Sequence, residues 1–313
     1  MKYLFTISIL IFFNSILSAQ LTNEIRLNFS NQHLNNPSQT AIGQNLRLSL
    51  THQNNFSDIP GAPSIQTASI QYPFVEQNMG LGLSIFQESA GLLDQRSAVL
   101  NYMYKVKTGF FDNDYFSIGL GLSLNQFGIN TDRLNSSVEL IDNTLPDIAR
   151  RSLSINTNIG LTYSTYDGEI DEDYYLPIGF TFGIATGKAI PNNISIEQLN
   201  FRESRFYHAL GRVDFTGNED LMFSALAEYT FIDELNSDIR IATQATLGQS
   251  VIFSLGYDTN GFIHLEIGGR LLKSPRDQTG LTIMANGSIP CGDLDVYTNN
   301  GIGFKVLYDI NTY

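Results

Sequence analysis

The sequence is poor in the residues that anchor chemistry. Among 313 residues there is one cysteine, Cys291, no tryptophan, and four histidines, His33, His52, His208 and His264, far apart along the chain. One cysteine forms no internal disulfide, and scattered histidines leave little from which to build a thiolate or histidine-rich metal centre. Basic residues are scarce as well: 18 Lys and Arg stand against 31 Asp and Glu, a formal net charge of −13 and a pI near 4.6. A chain without surplus cations cannot neutralise phosphates, which argues against nucleic-acid binding. Long apolar runs are also missing. After the first 19 residues no stretch of 18 or more apolar residues occurs, which excludes transmembrane helices and leaves a closed barrel as the one way to span a membrane.

What is present begins with a targeting segment. Lys2 supplies a positive start, Leu4 to Phe13 is almost wholly apolar, and Ser18-Ala19 precede Gln20. This is the pattern of a secretory signal cleaved after Ala19, and its apolar run is too short for a membrane-spanning helix. No cysteine near the cleavage point could accept a lipid anchor. Loss of Lys2 takes the net charge of the mature chain to −14.

From there a period of two dominates. Phe116, Ile118, Leu120, Leu122 and Leu124 alternate with Ser117, Gly119, Gly121, Ser123 and Asn125; Leu153, Ile155, Ile159, Leu161 and Tyr163 alternate with Ser154, Asn156, Asn158, Gly160, Thr162 and Ser164. Such strands have one apolar face and one small or polar face. Soluble sandwiches alternate too, but several segments here hold the pattern for about ten residues, the length a tilted membrane-spanning strand needs.

The pattern predicts strands at 45–54, 64–74, 78–88, 95–107, 114–127, 150–166, 175–187, 204–216, 219–232, 237–247, 249–258, 261–272, 278–289 and 299–310. The expected fold is therefore all-β: one transmembrane antiparallel β-barrel of about 14 strands after a cleaved signal peptide. Its divisions are 1–19 as signal, 20–44 as a periplasmic N-terminal segment, and 45–313 as the outer-membrane barrel. Arg47, Lys105, Glu228, Arg240, Asp258 and Glu266 fall on the polar face, suited to a barrel interior. Tyr72, Phe74, Tyr102, Tyr104, Tyr229, Phe231 and Tyr308 lie near strand ends, where interfacial girdles form. An even strand count puts both termini on the periplasmic side and the long connections 128–149 and 188–203 outside.

Motifs for catalysis or cofactor binding dissolve on inspection. Gly80-Leu81-Gly82 and Gly119-Leu120-Gly121 lack the third glycine and the helix of a phosphate loop and read as small residues facing a crowded interior. No Gly-x-Ser-x-Gly elbow occurs. A phospholipase site built on His208 or His264 would need a serine and a histidine on the outer face at the membrane interface. The acidic run Asp167–Asp173 could gather calcium but lacks the order of EF-hand ligands, so a solvated turn is the simpler reading. No catalytic, cofactor or metal residue is expected.

Asn36-Pro37, Arg47-Leu48-Ser49, Gln53, Gly61-Ala62-Pro63, Ser69, Pro73, Gly80-Leu81-Gly82, Gly91 and Asn101-Tyr102 together resemble the PorP/SprF family of type IX secretion system outer-membrane proteins of Bacteroidota. Phe206-Tyr207-His208, Tyr229, Gly256-Tyr257-Asp258 and His264-Leu265-Glu266-Ile267 extend the likeness. Where the family usually has a Trp after the first-strand Gln, this chain has Asn54-Asn55-Phe56, and Ser38-Gln39 follows Asn-Pro in place of Ala-Tyr. Its motif positions here are Asn36, Pro37, Arg47, Gly61, Ala62, Pro63, Gly80 and Gly82.

The resemblance implies a non-enzymatic barrel that helps secrete or anchor a surface cargo such as an adhesin or gliding protein. Its implied partners are the C-terminal signal domain of that cargo, periplasmic and outer-membrane secretion components, and outer-membrane lipid. A porin or solute channel, its charged interior selecting solutes, is the alternative. In the secretion reading, loops 128–149 and 188–203 meet the cargo and turns near 108–113 and 167–174 face the periplasm. A cysteine placed at Ser137 is then expected to react with an impermeant thiol reagent on intact cells; protection of that position would reverse the orientation.

Overall fold

The computed structural model describes residues 29–56, 61–91, 93–111, 114–129, 152–165, 178–190, 193–196, 199–218, 221–233, 237–248, 250–273, 279–291 and 300–311. The signal at 1–19, the acidic run 167–173, Ser137 and nearly all of the 128–149 loop lie outside them. Among the described residues sixteen strands follow in chain order: β1 (Leu46–Asn54), β2 (Ser64–Phe74), β3 (Met79–Ala90), β4 (Leu93–Lys107), β5 (Tyr115–Ile129), β6 (Ser152–Ser164), β7 (Ile178–Gly187), β8 (Asn193–Ile196), β9 (Leu199–Arg202), β10 (Phe206–Asn218), β11 (Leu221–Ile232), β12 (Ser237–Leu247), β13 (Val251–Asp258), β14 (Phe262–Lys273), β15 (Gly280–Pro290) and β16 (Gly301–Ile310). Fourteen of them close into an antiparallel barrel, and β8–β9 form a separate two-stranded sheet. Each barrel strand matches one expected from the period-two pattern, to within a few residues. The β8–β9 hairpin lies in a stretch the pattern left as loop.

Closure is made where the ends of the strand sequence meet. β1 pairs with β16 from Leu46↔Ile310 to Asn54↔Ile302, so no edge is left at that seam. Arg47 Nε donates to Asp309 Oδ1 at 2.6 Å across it, from the register pair Arg47↔Asp309. The end of the barrel holding both the start of β1 and the end of β16 is called the terminal end here, the other the far end.

The two faces of the wall invert the arrangement of a soluble protein. Leu50, Leu83, Ile85, Leu120, Leu122, Ile155, Ile184, Ile241, Ile267 and Ile302 are exposed on the outside, while Ser49, Thr51, Ser69, Ser84, Asn101, Ser117, Asn156 and Thr162 are buried inside. Each large apolar side chain left in water forgoes about 1.5–3 kcal/mol, so a continuous outer band of them is stable only against lipid. Aromatics mark both rims of the band. Tyr72 and Phe74 meet edge-on at 4.7 Å near the terminal end, and Tyr207 stacks on Phe231 at 6.1 Å near the far end. No helix among the described residues is long and apolar enough to cross a membrane.

The β4–β5 turn at the terminal end is organised by one carboxylate. Asp114 accepts from Thr108 Oγ1, from the backbone N–H of Gly109 at 2.9 Å and of Phe110 at 3.2 Å, and from Tyr163 Oη at 3.1 Å. Gly109 takes φ +75°, a left-handed conformation that glycine adopts without steric cost. Burial works against the Asp114 charge, but hydrogen bonds from Thr108, Tyr163, Gly109 and Phe111 outweigh it and hold its pKa below the ordinary carboxylate value. A depressed folded pKa means the stabilisation is complete above the ordinary value and is lost as pH falls through the lower one. Asp114→Ala is therefore expected to lower the urea midpoint of the micelle-embedded barrel at neutral pH. The gap between variant and wild type should close as pH drops below about 3.9; a gap that persists in acid would assign the loss to packing.

Candidate functional site

The N-terminal segment runs through the barrel. Sequence reasoning sets 20–44 outside it as a periplasmic piece; the described part, from Phe29 onward, is packed against the inner wall. Two short 3₁₀ turns, Gln32–Leu34 and Pro37–Gln39, fold it compactly enough to fit. Asn36 caps the second, its Oδ1 accepting from Ser38 N at 3.0 Å, and Pro37 occupies the first position of the turn, where its missing N–H costs nothing.

Its contacts reach most of the circumference. Phe29 packs with Leu226 of β11 and Ala242 of β12, and the Arg212 guanidinium of β10 lies 5.9 Å from its ring centre. Asn31 Nδ2 donates to Thr51 Oγ1 of β1 at 3.3 Å, and Asn101 Nδ2 of β4 donates to His33 O at 3.1 Å. Asn36 Nδ2 donates to Thr162 Oγ1 of β6 at 3.2 Å, Ser117 Oγ of β5 donates to Ser38 O at 2.9 Å, and Ala41 N donates to Gln71 Oε1 of β2 at 2.8 Å. Its later part, Asn36 to Ala41, lies in the half of the lumen nearer the terminal end.

Glycines make the room. A Cβ built at Gly119 would overlap the Pro37–Ser38 peptide, one at Gly160 the Asn36 amide, and ones at Gly80 and Gly82 would collide with Thr40. Gly80, Gly82 and Gly119 belong to the Gly-Leu-Gly pairs that look like truncated phosphate loops in the sequence. They let a second backbone approach the sheet.

The opposite wall, β10 to β16, carries charge. Lys305 Nζ lies 3.0 Å from Glu266 Oε2 with both side chains essentially without solvent exposure, and Ser254 Oγ donates to Glu266 Oε1 at 3.4 Å. Arg240 spans Glu228 and Asp238, at 3.3 Å each. His264 Nε2 meets Asp258 Oδ2 at 2.6 Å, and His208 Nε2 lies 3.5 Å from Glu228 Oε1. Burying so many ions is costly unless charges have partners, and here the pairs form between neighbouring strands (Glu228 with Arg240, Asp258 with His264), along β12 (Asp238 with Arg240) and across β15 (Glu266 with Lys305). Sequence alternation puts Glu228, Arg240, Asp258 and Glu266 on this inner face; it leaves out Asp238, two residues before Arg240 on the same face of β12, and Lys305, whose pairing with Glu266 depends on register between strands. His208 and His264 face inward and are buried, so neither stands at the outer interface as a phospholipase would require. Among the described residues no group of three or more His, Cys, Asp or Glu is placed to hold a metal ion.

The family-motif positions fall into three places. Asn36, Pro37, Gly80 and Gly82 meet at the lumenal segment. Arg47 sits at the β1–β16 seam. Gly61 and Pro63 shape the far-end β1–β2 connection, with Gly61 at φ +78°, Gly91 N donating to Gly61 O at 2.8 Å and Asn55 N to Pro63 O at 2.8 Å; Ala62 lies between them. That connection folds Phe56 inward against Phe262, ring centres 5.8 Å apart.

At the far end, Glu203, in the connection between β7 and β10, is held by the inner face of β6. Glu203 is buried and accepts from Ser154 Oγ at 2.7 Å and from Asn156 Nδ2 at 2.9 Å, with Lys188 Nζ 3.8 Å away. Nothing in the sequence marks Glu203, since its partners are small polar residues some 50 positions distant.

The family model described as type IX secretion system membrane protein PorP/SprF matches residues 18–311. A comparison with curated proteins gives no match. Among solved structures, a FadL homologue of Pseudomonas aeruginosa superposes with a TM-score of 0.52 at 10% identity, covering 90% of this chain and 94% of its own. A deletion mutant of the monoaromatic hydrocarbon channel TodX gives 0.50 at 10% identity, with the same coverage. At that identity the likeness concerns the fold alone.

The buried inner face among the described residues makes conductance a direct test of the filled lumen. Purified protein in a planar bilayer is expected to show no steady conductance. Gly119→Leu, which drives a side chain into the Pro37–Ser38 backbone, should expel the segment and give discrete openings. Gly211→Ala, with its nearest neighbours at 3.8 Å, should stay silent. A folded, silent Gly119→Leu barrel would show that something else seals the lumen.

Proposed function

The chain belongs to the PorP/SprF family of type IX secretion system membrane proteins, and from that premise we propose that it is a non-conducting outer-membrane scaffold that helps deliver or hold a secreted cargo at the cell surface. The observation that carries the reading is the occupied lumen. A solute channel needs a continuous water path, whereas here the N-terminal segment spans the barrel from β10–β12 to β2–β7 and the opposite wall closes on its own ion pairs.

A rigid closed sheet fixes the positions of its connections, and binding then falls to loops. Far-end loops 128–149 and 188–203 are the proposed cargo surface, and terminal-end turns near 108–113 and 167–174 the surface for periplasmic secretion components. The cleaved signal peptide, the outer-membrane address and the absence of enzymatic activity belong to the same reading. The family-motif residues serve it structurally, by seating the lumenal segment and shaping the β1–β2 connection.

A deletion strain of the native host, compared with its parent by surface labelling of intact cells, tests the function. Loss of one or a few large surface proteins, restored by the wild-type gene, is expected. Unchanged display of every type IX cargo would reject the scaffold role.

A further inference from the structure

The outer face is not apolar throughout. On β1 to β5, toward the far end, five outward side chains fall in one register row: His52↔Gln66, Gln66↔Gln87, Gln87↔Arg96 and Arg96↔Gln126. Gln66, Gln87 and Arg96 are exposed, His52 and Gln126 half-buried. The next row toward the far end is polar as well, Asn54, Ser64, Ser89 and Asp94, ending at Gly128. Followed the other way from His52, the row is apolar, from Phe304 through Ala285, Ile267, Phe253 and Ala245 to Phe223.

Strand tilt explains part of this change. The row lies near the terminal end at Phe223 and near the far end at Gln126, so it climbs by about 3 Å per strand for strands ~40° from the barrel axis. Between β16 and β1 the edge of the apolar band moves further than that. On β16 the topmost outward apolar residue is Ile302; on β1 it is Leu50, two rows lower and about 13 Å down the strand. On the other flank Leu153 of β6 pairs with Gln126 and is as exposed as Ile302. The polar side chains thus fill a notch in the upper edge of the lipid-facing band, with exposed apolar residues on both sides and Leu50, Ile85 and Leu124 beneath.

The notch has the composition of a sugar-binding surface. Three primary amides each donate and accept, as sugar hydroxyls do, and one guanidinium matches a single phosphate. Gln66, Gln87, Arg96 and Gln126 make no hydrogen bond or ion pair with other described residues, so their polar groups serve what lies outside the wall. Neighbouring strands stand ~4.8 Å apart, close to the width of one sugar ring, and the five strands span about 19 Å. The surface continues without a break into the lipid contact below it. A molecule that covers both is an amphiphile, its chains on Leu50, Ile85 and Leu124, with Ala68 and Ala98 leaving room beneath Gln66 and Arg96.

We propose that this notch binds the phosphorylated sugar headgroup of an outer-leaflet glycolipid, with Arg96 on the phosphate, Gln66, Gln87 and Gln126 on sugar hydroxyls, and His52, against the Phe304 ring at 5.5 Å, as the lower border. The inference rests on the reading above that the far end faces outward, and gives the lipid partner a place and a headgroup.

Native mass spectrometry of the barrel purified from the host's outer membrane tests it. The wild type is expected to carry one glycolipid, and a variant with Gln66→Leu, Gln87→Leu and Arg96→Gln to retain about tenfold less or lower, with bound phospholipid unchanged. Ile267→Ala, on the opposite wall, should keep the glycolipid. A wild type without glycolipid, or equal retention in the triple variant shown to be folded by heat-modifiable gel mobility, overturns the site. If the triple variant does not assemble, p-benzoylphenylalanine at Gln87 in the native host decides: a sugar-staining adduct supports the site, and adducts with protein or phospholipid alone, or none, overturn it. Protection of Ser137→Cys from the impermeant reagent removes the orientation itself; labelling there, with no glycolipid on the wild type, removes only this site.

Discussion

Every backbone N–H and C=O facing lipid must be paired within the protein, and that demand shapes this molecule more than any side chain does. Unpaired peptide groups in hydrocarbon cost several kcal/mol each, so the sheet has to close on itself. The β1–β16 seam, sealed over nine register pairs and reinforced by Arg47 and Asp309, is the step on which the rest depends. Closure fixes an inside and an outside, and strand alternation then sends apolar side chains to lipid and polar ones to the lumen.

A polar lumen raises a second demand. Inward groups need water or partners, and here the two walls solve this differently. Along β1 to β7 the inner face is Gly, Ser, Thr and Asn, which leaves space, and the chain's own N-terminal segment fills it with hydrogen bonds from Asn31, Asn36, Ser38 and Ala41. Along β10 to β16 the inner face includes long charged residues, and these occupy volume by pairing with one another. Neither wall would suit the other's contents. A Cβ at Gly119 or Gly160 would shut the segment out, and removing Lys305 would leave Glu266 buried without its cation.

The fold was legible because its signal is local. Period-two alternation in Phe116–Asn125 or Leu153–Ser164 gives a strand, its two faces and its approximate ends from neighbouring residues alone, and the even count gives the relation of the termini. The lumenal segment was not legible for the opposite reason. Asn36 and Pro37 look like an ordinary turn until Gly119, Gly160 and Gly183 are known to face them from 80 to 150 residues away. Glu203 is hidden in the same way, one carboxylate among many until register brings Ser154 and Asn156 beneath it. Four residues in β8 and four in β9 carry too little alternation to stand out from a loop.

These two illegible features meet at one place. Among the described residues β6–β7 is the shortest ladder of the barrel, with six register pairs. Asn36 sits on it from inside, donating to Thr162 Oγ1 and, at 3.5 Å, to Leu161 O, with Gly160 and Gly183 of the two strands close around its amide. Glu203 and the β8–β9 loop close the same strand edge from above. The β6–β7 wall is thus braced at one height by the lumenal segment, which leads into β1 at the terminal end, and at the other by a connection at the far end. Local stability in a protein follows the density of such contacts, so whatever shifts the lumenal segment bears directly on the strand beside which the loop is latched.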